Sequence, residues 1–189
     1  DRRTIEETGY FGRGRYSCSC EEHSGVDAAD MYSTIMERLQ HKNVTFIVDA
    51  TKDLLINVLK YKPFLIKPNN HELGELFDVK LTTREEVIPY GKKLQKQGAR
   101  NVLISMAGEG AVLVAEDGSV YEAPAPKGTL VNAVGAGDSM VAGFTAGWIE
   151  KKDYRHAFYM GVSAGSASAF SEYLATKEEI MDLYEKVSK

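Results

Sequence analysis

Cysteine is scarce in this 189-residue chain, and the two present, Cys18 and Cys20, do not make a disulfide framework. Long apolar runs are missing as well. No window of eighteen consecutive apolar residues occurs, so no segment reads as a membrane-spanning helix, and the charged start Asp1-Arg2-Arg3 leads into no hydrophobic signal segment. A cytoplasmic location without membrane partners is the resulting expectation. Charge of one sign is not in large excess either. A formal net charge of −4 gives no general attraction to nucleic acid or anionic lipid, which leaves a small molecule as the expected partner. The rest of the composition is ordinary for a globular protein: 43% of residues are hydrophobic and 26% charged, over a length that supports one domain with a sizeable core.

Two common nucleotide motifs are absent too. A P-loop would need Lys and then Ser or Thr after its last glycine, and G-x-G-x-x-G fails because Met140 stands where the third glycine belongs. In their place, residues 131–148 read VNAVGAGDSMVAGFTAGW. Gly135, Ala136 and Gly137 can present consecutive backbone N–H groups in a turn that glycine allows, and the small, apolar run from Ser139 reads as a helix. Amides at a helix start attract anions, and Asp138, in the first turn, is stabilised as a carboxylate by the helix dipole. That combination suits phosphoryl transfer. The amides hold the charge that develops on the moving group, and the carboxylate takes a proton from the attacking hydroxyl. The plainer alternative is a capping acid on an ordinary helix.

Taken in order, residues 1–25 carry Gly9, Gly12, Gly14 and Gly25 among scattered charges, with no period of 2 or 3.6. This is the pattern of loop or poorly ordered chain, and residues 1–27 stay unassigned. Cys18-Ser19-Cys20 with His23 lacks a second ligand pair at zinc-type spacing and reads as incidental rather than as a metal module. From Ala28 an amphipathic helix follows, with Met31, Ile35, Met36 and Leu39 on one face. Residues 44–48 and 64–66 read as buried strands with a short helix, 54–59, between them. Strand, helix, strand implies a parallel sheet with right-handed crossovers and a ligand beyond the carboxyl ends of its strands. Beyond Ile66 come Lys67, Pro68, Asn69, Asn70, His71 and Glu72, which on their own read as a helix start with Asn69 or Asn70 as cap and Glu72 in the first turn. A capping box at Thr83 and Glu86 opens the next helix, which Gly98 ends. Residues 101–104 are a further buried strand with the exit loop 105–110, and 111–115 forms a hairpin with 120–123. Residues 154–170 are rich in Ala, Gly and Ser, as in a helix packed closely on a neighbour. A second capping box, Thr176 and Glu179, starts the last helix.

Residues 134–143 resemble, without a break, the second signature of the pfkB sugar kinases, a ribokinase-like family that includes 1-phosphofructokinases and tagatose-6-phosphate kinases. The resemblance extends over residues 28–189 and implies an α/β fold: a three-layer α/β/α sandwich with a mostly parallel sheet, here its nucleotide-binding and catalytic portion. It implies Asp138 as the base and Gly135, Ala136 and Gly137 as the anion hole. K-P-N-x-x-E resembles the segment in which Asn69 and Glu72 organise magnesium-bound nucleotide phosphates through ordered water, with Lys67 adding positive charge. Ser105, Met106, Ala107, Gly108, Glu109 and Gly110 resemble the S-L-G-x-x-G loop that lies along ATP, Gly137 also facing the nucleotide. Ala107 stands where that pattern has glycine, so a departure in loop geometry is expected, because alanine resists positive φ. By the same resemblance Ser163 or Ser166 borders the adenine.

The string of residues 170–176 resembles the 1-phosphofructokinase branch more than the tagatose-6-phosphate branch. The expected activity is therefore transfer of phosphate from ATP, with Mg2+, to the C6 hydroxyl of fructose 1-phosphate; an inactive nucleotide-binding fragment shares every motif quoted. Neither the aspartate and glycine/asparagine motif that the family uses for the sugar nor its small β-sheet lid is found, so the chain alone is expected to bind adenine nucleotide weakly at best and not to phosphorylate fructose 1-phosphate. Homodimerisation through that lid is the expectation for a full-length enzyme.

Overall fold

The computed structural model describes residues 10–11, 14–19, 28–50 and 52–189, and the chain groups into two compact units. The first comprises the residues up to Leu81 together with Glu86–Ile104. Its strands β1 (Tyr10–Phe11), β2 (Gly14–Ser19), β3 (Val44–Val48), β4 (Leu65–Ile66) and β5 (Asn101–Ser105) lie side by side in that order. The β1/β2 pair is antiparallel and the other three are parallel. Parallel neighbours require a crossover, and helices supply it. Helix α1 (Ala28–Leu39) joins β2 to β3, and α2 (Lys52–Val58) with a 3₁₀ turn (Leu59–Tyr61) joins β3 to β4. Helices α3 (Asn70–Leu76) and α4 (Arg84–Gln97) join β4 to β5. The apolar runs of β4 and β5 follow from burial: Leu65, Ile66, Val102, Leu103 and Ile104 are all 0% exposed. Asn101 is as deeply buried, and its Nδ2 donates to the Phe64 carbonyl at 2.8 Å, so the polar side chain is satisfied beside the strand it follows.

The loop expected across residues 1–25 does not hold for 14–19, which form β2. Arg15 lies opposite Val44 and Ser19 opposite Val48. A strand whose own sequence has no alternation is specified by the neighbour that takes up its backbone groups, and that neighbour is distant in sequence. Cys18 therefore lies in a strand, while Cys20 and His23 fall outside the described residues.

The second unit comprises Thr82–Glu85 and Ser105–Lys189. A 3₁₀ turn (Ala107–Glu109) leads into the hairpin of β6 (Ala111–Val114) and β7 (Val120–Ala123), paired from Ala111 opposite Ala123 to Val114 opposite Val120, as expected. The Asp117 side chain accepts from the amide and hydroxyl of Ser119, and these bonds hold its carboxyl below the usual carboxylate range. Three helices complete the unit: α5 (Ala136–Lys151), α6 (Tyr154–Phe170) and α7 (Lys177–Val187). Thr176 and Glu179 form the anticipated capping box of α7. His156 lies at the junction of all three helices. Its Nε2 is 3.1 Å from Glu150 Oε2 and its Nδ1 is 2.7 Å from the Tyr184 hydroxyl. The bond from His156 holds the Glu150 carboxyl below its usual range.

Small side chains set the approach of α5 to α6. A methyl group on Gly143 would lie 2.6 Å from both the Ala164 Cβ and the Met160 carbonyl oxygen, and one on Gly161 would lie 2.9 Å from the Met140 carbonyl oxygen. One on Gly165 would lie 2.9 Å from the Ala136 carbonyl oxygen, at the first residue of α5. Backbone therefore meets backbone along this interface, which a larger residue would wedge apart. Gly143→Val is expected to cost about 1–3 kcal/mol, the range for overpacking a core, read as a lower denaturation midpoint at unchanged m-value.

Candidate active site

The turn before α5 is built from backbone bonds to the end of α6. The amides of Val131 and Asn132 both donate to the Ala169 carbonyl, at 2.9 and 3.1 Å. Asn132 then folds the chain onward: its Oδ1 accepts the Val134 amide at 3.0 Å, and its Nδ2 donates to the Glu172 carbonyl at 3.4 Å. Gly135 follows as the N-cap of α5 in the left-handed region, with φ 77°, a conformation that side chains resist. No side chain caps the helix. The Ala136 amide is engaged in a 3.2 Å turn bond to Ala133, so the three consecutive donors expected at Gly135, Ala136 and Gly137 are not equivalent. Asp138 is the third residue of α5 and is exposed. A carboxylate reachable by solvent, in the first turn of a helix opened by a left-handed glycine, suits proton acceptance beside a bound anion.

Ser168 was not singled out by sequence reasoning, yet it joins the pieces of this turn. It is 3% exposed; its hydroxyl donates to Ser139 Oγ at 2.9 Å and accepts the Ala175 amide at 3.1 Å. Ser163 is 0% exposed, and its hydroxyl donates to the Tyr159 carbonyl at 2.7 Å. Ser166 is only half-buried.

The loop 105–110 takes up left-handed backbone even at the alanine expected to resist it. Ala107 has φ 45° and Gly110 φ 95°. Alanine does enter the left-handed region here, held by bonds from the Met106 amide to the Gly110 carbonyl, 2.8 Å, and from the Gly110 amide to the Ala107 carbonyl, 3.0 Å. The Met106 side chain is buried, whereas Glu109 is exposed and Ser105 half-buried. Gly108 has open space within 4 Å of where a side chain would begin, so a ligand can lie along its backbone.

In the first unit, Lys67, Asn69 and Glu72 follow β4 directly. Asn69 caps α3: its Oδ1 accepts the amides of His71 and Glu72, both at 2.9 Å, and Glu72 Oε2 accepts the Asn69 amide at 2.7 Å. The helix-start reading of this motif is thus realised in full, and Glu72 retains its second oxygen for another role. Lys67 is 8% exposed and lies 3.2 Å from Asp49, the residue just beyond β3. Its charge is met within the protein, and Asp49 is a site neighbour that its place at a strand end could have flagged.

An open, mostly parallel sheet with polar helix starts beyond its strands in the first unit, and a glycine-led start of α5 in the second, define an α/β protein. The pattern described as pfkB family carbohydrate kinase matches residues 6–181. The chain belongs to the pfkB family of carbohydrate kinases. It is 49% identical over 158 residues to a 1-phosphofructokinase of Bacillus subtilis (strain 168), covering 84% of this chain and 52% of that protein. It is 37% identical over 150 residues to a D-tagatose-1-phosphate kinase of Bacillus licheniformis, covering 77% of this chain and 48% of that protein. Among solved structures, phosphofructokinase-2 from Escherichia coli in complex with substrates and products superposes with a TM-score of 0.80 at 26% identity, over 92% of this chain and 56% of that one. The chain thus spans about half the length of the curated relatives it matches. The match reaches back to residue 6, across β2.

Ala107→Gly should relieve the left-handed strain, worth roughly 1–2 kcal/mol, against about 0.4–1 kcal/mol of added freedom in the unfolded chain. A neutral to slightly raised denaturation midpoint is expected. A clear loss of stability would mean that the alanine methyl, rather than the backbone, holds the loop.

Proposed function

We propose that this chain carries the nucleotide-binding and catalytic portion of an ATP-dependent sugar-phosphate kinase whose acceptor is the C6 hydroxyl of fructose 1-phosphate. The observation that carries the reading is the turn of residues 131–139: a left-handed Gly135 opens α5 and leaves Asp138 exposed in its first turn. In the proposed reaction Asp138 accepts the proton of the acceptor hydroxyl. The hydroxyl oxygen bonds to the γ-phosphorus, the bond to the β–γ bridging oxygen breaks, and ADP leaves. Gly135, Ala136 and Gly137 supply the positive end of the helix toward the transferring group. Gly108 and its loop neighbours accommodate the nucleotide, and Ser166 is the serine of α6 kept for the base.

The residues present fit an indirectly held magnesium. Among the described residues no three carboxylate, histidine or cysteine side chains gather into a direct cage, and Mg2+ ordinarily keeps several waters and takes only one or two protein carboxylates. Asn69 and Glu72 would hold it through water, and the ion supplies neutralisation of phosphate charge.

The relatives support fructose 1-phosphate first and tagatose 1-phosphate second, the latter in place of a 6-phosphate substrate. A cytoplasmic location accords with a soluble small-molecule substrate, and no described helix is long and apolar enough to cross a membrane. Association of subunits is proposed only for the enzyme with its lid.

The test is a coupled assay of ADP release over a panel of sugar phosphates, on protein of confirmed intact mass. Fructose 1-phosphate should be the preferred acceptor of the active enzyme, and nucleotide binding without turnover by the isolated chain would instead favour the fragment reading. In an active preparation, Asp138→Asn should keep fold and nucleotide affinity while lowering kcat about 10²- to 10⁴-fold, the range for loss of a general base. Undiminished turnover would remove Asp138 from that role.

A further inference from the structure

We infer that Arg84 is a positioning residue for nucleotide binding, a clamp that holds the loop 105–110 in its receiving shape; the inference rests on the nucleotide reading of that loop. Arg84 begins α4, and its side chain is 27% exposed. Its Nη1 donates to the Glu109 carbonyl at 2.6 Å, a short, charge-assisted bond. On the same guanidinium, Nε lies 3.7 Å from Glu122 Oε2, across the hairpin from Val112. One planar group therefore ties the loop to the stem of the hairpin that follows it, a geometry that lysine does not reproduce. Nε is buried and without a hydrogen-bond partner among the described residues. A donor left unmet in this way is costly, so the guanidinium is placed by Glu109 and Glu122 rather than by its own full satisfaction.

The bond to Glu109 acts where the loop is most constrained. The Glu109 carbonyl belongs to the same peptide as the Gly110 amide, which donates to Ala107 at 3.0 Å. Arg84 thus fixes from outside the peptide plane that closes the turn over the left-handed Ala107. Gly108, the residue with open space beside it, lies within that turn. A loop that must be ordered before it can receive a ligand binds with an affinity reduced to the fraction of time it is ordered. Removing the clamp should therefore appear in affinity more than in global stability.

The experiment compares the wild-type chain with Arg84→Gln and Arg84→Lys, by calorimetric titration with ADP and by hydrogen–deuterium exchange of peptides spanning residues 105–112. Arg84→Gln should weaken ADP binding about tenfold, as a shift of the loop to one-tenth competent implies, and hasten exchange at residues 107–110, with exchange in α5 and α6 unchanged. Arg84→Lys, which keeps one donor for Glu109, should recover part of both. Equal ADP affinity in wild type and Arg84→Gln, or unaltered exchange in the loop, would overturn the inference. If wild type itself binds no ADP, the nucleotide reading of the chain fails and with it the role of Arg84 in binding, whatever the exchange data show.

Discussion

The close approach of α5 to α6 is the constraint on which the second unit depends. Gly143 and Gly147 on one helix, and Gly161 and Gly165 on the other, remove the side chains that would hold the backbones apart. The consequence reaches the candidate site. Because Gly165 lies against the Ala136 carbonyl, the far end of α6 arrives beside the start of α5, and its Ala169 carbonyl is in reach of the Val131 and Asn132 amides. Interhelix distance thus determines where the turn before Asp138 can sit. A rigid scaffold of this kind is what a transition state requires, since donors that had to reorganise during the reaction would contribute less.

Two of the segments where ligand chemistry is proposed contain left-handed residues. Gly135 and Gly110 have positive φ, and so does Ala107, which lacks glycine's freedom. Such conformations persist only when surrounding bonds over-determine them. At residues 131–135 the bonds come from Ala169, Glu172 and the Asn132 side chain; at 106–110 they come from the loop's own backbone and Arg84. In the first unit the same principle takes a milder form. The Asn69 and Glu72 capping box fixes α3 immediately after a strand buried on both sides, so its polar groups are held by a short, rigid segment.

Much of this architecture is legible in local pattern. The buried strands read as apolar runs because parallel strands covered on both faces need them, the helix start after Pro68 is marked by its asparagines and Glu72, and the one at Thr176 by a capping box that acts over three residues. The 111–123 hairpin and the glycine-led start of α5 are equally local. The strand of residues 14–19 was not legible, because its pairing partner is some thirty residues away, at 44–48, and its own sequence has no alternation. Ser163 shows the same limit within the site. Its residue type suited a contact with a base, but only packing could decide that its surface is wholly covered.

The sequence by itself determined the family, the order of helices and strands from residue 28 onward, and the glycines and carboxylate of the α5 turn, since each depends on residue type and short spacing. Tertiary structure alone decided which polar groups serve one another: Lys67 with Asp49, Ser168 with Ser139 and Ala175, and Arg84 with Glu109 and Glu122. These partners are brought together by packing between elements, and no local rule of spacing encodes a hydrogen bond across such a distance in the chain.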